Sequence, residues 1–276
     1  MGIFMKKTVL FLMLIILGAM MLGCVKKRED LEDYQDHTKL DIGKVDPIVI
    51  DPDFEASPTP TEPPRKPYIL CLDAGHGGKW TGAMYSGRVE KIETVRMCKA
   101  IREYLLENHD DIEVFLTRED PEDVLSTDLG EDLRKRVEYA KSVDAQILVS
   151  LHLNASDKHN LGGTEVLISK QPNITGISQE LGDALLNGAA GLGLRNRGTV
   201  KKNSQDTFDE NGVPVDYYAI CRHGSTLNIP AVILEMCFMD NANDCKFVLA
   251  TDEAVKKFAA AEGEAIYQFL KSHYTK

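Results

Sequence analysis

Positive charge is scarce in this chain of 276 residues, in which 43 aspartates and glutamates outnumber 32 lysines and arginines for a formal net charge of −11. An acidic surface repels phosphate backbones, so nucleic acid is excluded as a partner. No internal repeat is visible, and the chain is therefore not a repeat array. With 43% apolar residues it is still long enough to build one large domain around its own core.

Cysteine pairs of the Cys-X-X-Cys type are also missing. Beyond Cys24 an odd number of cysteines remains, and most of them lie in apolar surroundings. A buried thiol behaves as a small hydrophobic side chain. We therefore expect free, structural thiols at these positions, which are Cys71, Cys98, Cys221, Cys237 and Cys245.

Charge is absent from residues 8–25, which are mainly leucine, isoleucine, methionine and phenylalanine and follow two lysines at 6–7. A charged start followed by an apolar run is typical of an export signal. The run ends in the letters MLGC, which resemble the lipobox of bacterial lipoprotein precursors. We therefore expect residues 1–24 to be a signal peptide and Cys24 to be the lipid-modified residue.

Two alternatives to a lipoprotein stay open for this segment. An uncleaved anchor is one, because about 18 uncharged residues reach the lower limit for a membrane span, and ordinary secretion is the other. The basic residues at 26–28 argue against the anchor, since loops rich in positive charge stay on the cytoplasmic side. The chain is exported under all three alternatives. We expect a lipid-anchored protein at the outer face of the cell membrane or in the cell wall.

Large apolar side chains are few in residues 25–67, which hold seven of the 11 prolines and many acids. Such a segment cannot bury enough surface to fold, so we expect a disordered tether. A flexible chain of about 43 residues has a root-mean-square span of roughly 35 Å. A domain attached to this tether could therefore reach substrate at a range of distances from a membrane.

From residue 68 onward, short β-rich runs alternate with longer helical ones. The strands are predicted at YILCLDA, IEVFLT, AQILVSLHL, GTEVLI, YYAICR and PAVILEMCF, and the helices over 90–108, 132–142, 176–190 and 254–272. This alternation predicts an α/β fold, with an open, largely parallel, twisted sheet and helices on both faces, in a single domain over 68–276. Residues 203–216 form an insertion in which Asn211 and Gly212 predict a hairpin turn.

Ionisable side chains stand where three of the predicted strands end. His76 follows the first strand, while His152 and Glu235 lie at the ends of later ones. Glu90 begins the helix after the first strand, where the helix dipole favours a carboxylate. Since ligands of open α/β sheets collect beyond the carboxyl ends of the strands, these groups are expected at one edge.

Two histidines and one carboxylate with a free coordination position form the pattern of catalytic zinc. His76, Glu90 and His152 are the predicted ligands of one zinc ion, and Glu235 is the predicted general base. Taken alone, His76 also fits a turn histidine and Glu90 a helix-start charge. Glu235 is the stronger anomaly, because an acid inside an apolar run needs a partner.

At this point the sequence resembles a known family, the zinc-dependent N-acetylmuramoyl-L-alanine amidases of family 3, over about residues 68–276. The resemblance rests on ordered motifs, which are LDAGHGG, GRVEK, LTRED, LRKRVEYA, ILVSLHLNAS, GGTEVLI and PAVILEMCFMDN. It implies that His76, Glu90 and His152 match the family's zinc ligands and that Glu235 matches its catalytic glutamate. The implied substrate is the amide that joins the lactyl group of N-acetylmuramic acid to L-alanine in peptidoglycan.

Other polar residues near these motifs have weaker functional readings. Asn154 is predicted either to contact substrate or simply to end its strand. Arg222 and His223 are predicted substrate contacts after the YYAIC strand, although loop histidines are commonly solvated. For Arg118 and Arg136 we expect structural ion pairs away from the metal edge.

Three questions of function stay open on the sequence alone. A zinc peptidase cutting elsewhere in the stem peptide would use the same metal chemistry, and a cell-envelope binding lipoprotein would use the fold without catalysis. The insertion over 203–216 is either a surface hairpin or a border of the cleft that restricts which glycan strands enter. No separate wall-binding module is visible, so the membrane attachment would localise the enzyme, and whether a protein activator exists is undetermined.

Overall fold

The computed structural model describes residues 66–274. The predicted signal peptide, the acylation site at Cys24 and nearly all of the 25–67 tether lie outside the described residues, and they stay predictions. Within the described range, no helix combines the length and the apolar character needed to cross a membrane.

The described residues form a regular succession of strands and helices. The strands are β1 (Tyr68–Ala74), β2 (Met84–Tyr85), β3 (Arg88–Val89), β4 (Ile112–Leu116), β5 (Ile147–Asn154), β6 (Thr164–Leu167), β7 (Asn196–Val200), β8 (Asn203–Phe208), β9 (Pro214–Asp216) and β10 (Ala231–Phe238). The helices are α1 (Glu90–Asn108), α2 (Leu129–Ser142), α3 (Thr175–Gly191), α4 (Ala219–Leu227), α5 (Ala242–Val248) and α6 (Asp252–His273).

The main sheet has the strand order β4-β1-β5-β10-β6-β7. Its pairs are parallel except for β10 with β6, which run antiparallel. The predicted α/β fold with a largely parallel sheet is therefore confirmed. The central strands β5 and β10 are buried almost throughout, as expected for parallel strands covered on both faces.

Helices cover both faces of this sheet, as predicted. Helices α1, α3, α5 and α6 share one apolar core with one face, while α2 and α4 share a second core with the other. Side chains alternate along a strand, so Leu72 enters the first core and Cys71 the second. By the same alternation His152 and Glu235 follow Leu148 and Ile233 onto the face covered by α2 and α4.

One predicted strand is wrong. The run YYAICR does not join the sheet, because its second half begins helix α4. Ile220, Cys221, Gly224 and Ser225 are the buried positions of this segment, and their spacing is that of one helix face. A short apolar run fits either structure, and here the tertiary packing decides. Arg222 and His223 consequently lie within a helix and do not follow a strand.

Other elements differ in detail from the prediction. Helix α2 begins before residue 132, since the Asp128 side chain caps it by accepting from the Glu131 amide at 2.9 Å. Strand β7 and helix α5 were not predicted. The hairpin turn in the insertion is confirmed, with Gly212 at φ +75° between β8 and β9. The five cysteines of the described residues are free and buried, as expected.

Candidate active site

The sheet brings the predicted site residues together at one edge. His152 on β5 and Glu235 on β10 are register partners, and His76 lies just beyond the end of β1. His76, Glu90 and His152 each offer a ligand atom, and these three atoms lie within 4.8 Å of one another. Residues far apart in sequence thus form one cluster because their strands are neighbours in the sheet.

Glu90 is the centre of this cluster and is only 3% exposed. Its Oε1 lies 3.0 Å from His76 Nε2 and 3.1 Å from His152 Nδ1. The Leu153 amide donates to Oε1 at 2.8 Å, and the Ala83 amide donates to Oε2 at 2.7 Å. Burial alone would raise the pKa of Glu90, but the hydrogen bonds from the two histidines hold it well below its usual range.

Two glycines make the close approach of these rings sterically feasible. A Cβ on Gly75 would lie 2.4 Å from the His152 ring, and a Cβ on Gly82 would lie 2.4 Å from Glu90 Oε2 and 2.6 Å from His76 Cδ2. Gly82 also has φ +69°, a conformation that other residues adopt at a cost. The glycine-rich loop is therefore required by the space around the ligand atoms.

The backbone of His76 is itself in the left-handed region, with φ +68°. Such a conformation is uncommon for a residue with a side chain and needs support from its surroundings. The next residue provides some of it, since Gly77 and Trp80 exchange backbone hydrogen bonds of 3.0 and 2.9 Å. These bonds close a tight turn directly after the histidine.

Two buried arginines provide the rest, and they correct the prediction that Arg118 and Arg136 lie away from the metal edge. Arg118 donates to the carbonyls of Ala74, at 2.7 Å, and of Gly75. Arg136 donates to the carbonyl of Ala74 at 2.9 Å and also to that of His76. Three successive carbonyls of the loop are thus held by guanidinium groups, a role that motif position alone did not reveal.

The predicted ion pairing is present for Arg136. It contacts Asp73 at 3.1 Å and Asp132 at 2.7 Å, and all three side chains are nearly inaccessible to solvent. Burial would raise the pKa of Asp73, but Arg136 and hydrogen bonds from Ser150 and Thr117 together lower it. Asp73 therefore carries its negative charge beneath the loop.

Glu235 stands beside the cluster on the neighbouring strand β10. Its Oε2 is buried and accepts no hydrogen bond from any described residue. Burial raises the pKa of Glu235 to about 7; the nearby His152 opposes this shift, and the negative charges of Glu90 and Glu165 add to it. A carboxyl group that titrates near neutral pH is suited to accept and then return a proton.

Polar side chains from β6 and β7 lie next to Glu235, and they were not predicted. Glu165 is the register partner of Glu235 on the other side of β10. It accepts from Arg197 Nε at 2.8 Å and from Asn154 Nδ2 at 2.8 Å. The only sequence signal was the acid in GTEVLI, and its place beside Glu235 follows from a pairing of strands that are distant in the chain.

The three predicted substrate contacts have different surroundings in the structure. Asn154 is on the same strand edge and holds Glu165. Arg222 donates to the Asp216 carbonyl at 3.1 Å, and burial lowers the pKa of His223. Neither Arg222 nor His223 lines the cavity that opens beside the histidines. Their contact with substrate stays a prediction.

Comparison with known proteins adds family evidence to this geometry. The sequence profile of a family described as N-acetylmuramoyl-L-alanine amidase, Amidase_3, matches residues 70–268. The Endolysin of Bacillus phage SPP1 is 27% identical over 204 residues, which are 73% of this chain and 66% of that protein. The germination-specific N-acetylmuramoyl-L-alanine amidase of Bacillus subtilis is 34% identical over 104 residues, which are 35% of this chain and 43% of that protein.

A solved structure shows the same fold. The N-acetylmuramoyl-L-alanine amidase from Clostridium difficile 630 superposes with a TM-score of 0.60 at 22% identity, covering 76% of this chain and 100% of that one. The alignments span less than two thirds of the length of the two curated relatives, at 66% and 43%.

Proposed function

Because the chain belongs to the N-acetylmuramoyl-L-alanine amidase family, we propose that it is a zinc-dependent hydrolase of peptidoglycan. The bond cleaved is the amide between N-acetylmuramic acid and L-alanine, and the role is cell-wall remodelling. One observation carries the proposal: His76, Glu90 and His152 converge at a sheet edge beside Glu235, whose buried Oε2 has no partner among the described residues.

The donor set fits one zinc ion. Two ligands that each lie about 2.0–2.1 Å from a tetrahedral zinc are roughly 3.3 Å apart. The separations of 3.0 and 3.1 Å between Glu90 Oε1 and the two histidine nitrogens are close to this value. Two imidazoles and one carboxylate also leave a coordination position free, as catalytic zinc sites do.

The reaction needs a base that later becomes an acid, and Glu235 is assigned both roles. When bound, zinc lowers the pKa of a coordinated water to about 7 and polarises a carbonyl oxygen. The Glu235 carboxylate accepts the proton of the attacking water and then donates it to the alanine nitrogen as the amide C–N bond breaks. Burial raises the pKa of Glu235 above its ordinary value, which favours its role as the acid that returns the proton.

Around this chemistry the rest of the site fixes positions. The Leu153 and Ala83 amides hold the Glu90 carboxylate in one orientation. Arg118 and Arg136 hold the backbone that carries His76. These groups keep the donors in place before a ligand arrives, so little reorganisation is needed during the reaction.

The test is product analysis of purified peptidoglycan treated with the full chain. The expected products are free L-alanine amino ends and intact glycan strands, detected by mass spectrometry. A chelator should abolish the cleavage, and added zinc should restore it. Cleavage within the stem peptide would identify a zinc peptidase instead, and binding of peptidoglycan without cleavage by the zinc-loaded chain would identify a binding protein.

The cellular location is part of the same proposal. An enzyme acting on peptidoglycan must be exported, and the N-terminal sequence supports a lipid anchor at Cys24. Metabolic labelling with a radioactive fatty acid should mark the wild-type chain and not Cys24→Ser. Equal labelling of the two chains would rule out Cys24 as the acylated residue.

A further inference from the structure

A cavity of about 410 Å³ opens next to the histidine cluster, on the face of the sheet covered by α2 and α4. His76 and His152 form one end of it. Leu133 of α2, Ile220 of α4 and Ile233 of β10 form its apolar walls. The cavity is therefore continuous with the candidate site, and a ligand bound there would extend directly to the reacting bond.

Aromatic side chains line this cavity, those of Trp80, Tyr217 and Tyr218. Trp80 lies on the loop after His76, where its backbone is held by hydrogen bonds to Gly77. Tyr217 follows the insertion hairpin, and its amide donates to the Lys202 carbonyl at 2.8 Å. Tyr217 is 51% exposed, so about half of this residue is accessible to solvent.

The charge of the cavity limits what it can bind. Apart from the histidines, Arg136 is the only basic residue among the described residues that line it. This guanidinium is already engaged by Asp73, Asp132 and loop carbonyls. Lys79 and Lys202 lie over the Trp80 and Tyr217 rings, at 5.0 and 3.8 Å, but neither lines the cavity. Arg136 therefore offers no free cationic group to a carboxylate in this cavity.

We propose that this cavity is a subsite for a sugar ring of the glycan strand, with Trp80 and Tyr217 as its stacking surfaces. This inference rests on the proposed function, because it names the part of peptidoglycan that occupies the cavity. A pyranose ring is neutral, and one face presents only C–H groups of slight positive character. Such a face packs well on the negative face of an aromatic ring, while the hydroxyl groups stay in water. A stem peptide ends in a carboxylate and suits the cavity less.

Trp80 makes binding directly measurable, since it is the only tryptophan of the chain. The probe is the peptidoglycan disaccharide with its lactyl group capped as a methylamide, added to the full-length chain at low temperature while tryptophan emission is recorded. We expect a saturable change in emission. The dipeptide L-alanyl-D-glutamate, added in its place over the same concentrations, should leave the emission unchanged. A response to the dipeptide and not to the disaccharide would overturn the proposal.

Substitution of Tyr217 tests the stacking surface itself. Tyr217→Ala should weaken disaccharide binding about tenfold, in line with the loss of an aromatic contact and its buried area, and Tyr217→Phe should retain most of the affinity. The matched control is Phe247→Ala, which removes an exposed aromatic ring from α5 on the opposite face of the sheet. Equal dissociation constants for Tyr217→Ala and Phe247→Ala would refute the subsite.

Kinetics on a soluble muropeptide give a second readout. Tyr217→Ala should raise KM about tenfold and change kcat less than twofold, because the ring contacts the sugar and not the reacting atoms. A fall in kcat with unchanged KM would contradict the assignment. The binding titration needs no turnover, so a chain that binds the disaccharide without cleaving peptidoglycan would refute the hydrolase and leave the sugar subsite standing.

Discussion

Glu235 on β10 lies directly opposite His152 on β5 in the parallel register of the sheet. Both side chains point to the face covered by α2 and α4, so the carboxyl group of one strand stands beside the imidazole of the next. Side chains opposite each other on neighbouring strands are about 5 Å apart at Cβ. The register therefore places a carboxyl group beside a candidate metal ligand without the help of any loop.

Replacement of Glu235 by glutamine separates proton transfer from metal binding. Glu235→Gln keeps the size of the side chain and removes the group that exchanges a proton, so we expect turnover to fall by about 10²–10⁴. Zinc content, measured by atomic absorption on the purified chain, should stay unchanged. Glu253→Gln, which alters an exposed glutamate of α6 that pairs with Lys257, is the matched control. Wild-type turnover in Glu235→Gln would remove this residue from the mechanism.

Replacement of Glu90 should reduce zinc binding, which Glu235→Gln leaves unchanged. Glu90→Gln loses the anionic oxygen that both histidines approach. Loss of a residue that only hydrogen-bonds to a metal ligand lowers metal affinity about 10–100-fold. Loss of a ligand itself should lower the affinity for zinc at least as much. Zinc retained after dialysis against a competing chelator is the measurement. Glu93→Gln on the same helix, whose carboxylate pairs with Arg88 and Arg96, should retain zinc like the wild type. Equal zinc retention in the two variants would contradict the ligand assignment.

The arginine beneath the loop should matter for stability as well as for position. Arg136→Met leaves Asp73 and Asp132 buried without their cation, and breaking a buried pair in this way costs about 3–5 kcal/mol. Urea unfolding followed by circular dichroism measures the loss. Arg134→Met, on the same helix, breaks only exposed pairs with Glu131 and Glu138 and should cost no more than about 1 kcal/mol. Similar midpoints for the two variants would show that the buried pair contributes little.

The sequence predicted the elements whose pattern is local and strong. Strand β1 and helix α1 match the predicted ranges, because an unbroken apolar run and a regular helical spacing each leave one interpretation. The segment that became α4 is short and apolar, and it therefore fits a strand or a helix until its neighbours are known. Motif order also indicated His76, Glu90, His152 and Glu235 as one set.

What the sequence did not predict depends on contacts between distant segments. Glu165 lies beside Glu235 only because β6 pairs with β10, and no local pattern specifies that pairing. Arg118 and Arg136 hold the loop carbonyls because the end of β4 and the middle of α2 lie close to the loop. Every residue has a backbone carbonyl, so residue type does not show which carbonyls accept hydrogen bonds from side chains. The partners of these two arginine side chains could therefore not be predicted from the sequence.

A last prediction concerns Glu262, a fully buried acid of α6 outside the candidate site. Neither of its carboxylate oxygens has a hydrogen-bond partner among residues 66–274. A Cβ on Gly188 of α3 would lie only 3.1 Å from its Oε1, so the two helices pack closely around this carboxyl group. Burial raises the pKa of Glu262 well above its ordinary value. The folded chain therefore holds this group in its neutral form.

The sign of the resulting pH dependence follows from proton binding. Below about pH 4 both the folded and the unfolded states hold the proton, and Glu262 adds no pH dependence. Above this pH the unfolded state releases its proton while the folded state keeps it, so stability falls as pH rises towards the folded pKa. Glu262→Gln removes this loss. Its free energy of unfolding relative to wild type should increase by about 1.4 kcal/mol per pH unit in this window.

Urea unfolding of the wild type and of Glu262→Gln at intervals between pH 5 and pH 7 measures this difference, and all other titrating groups cancel from it. Glu264→Gln is the matched control on the same helix. The pKa of Glu264 is lowered, chiefly by a hydrogen bond from Gln268 that outweighs burial, so its contribution to stability is lost as pH falls and not as it rises. Between pH 5 and pH 7 Glu264 is ionised in both the folded and the unfolded states, so the difference for Glu264→Gln should stay nearly flat while that for Glu262→Gln rises. A flat difference for Glu262→Gln would mean that Glu262 is ionised in the folded chain and has a partner that the packing of α3 and α6 does not provide.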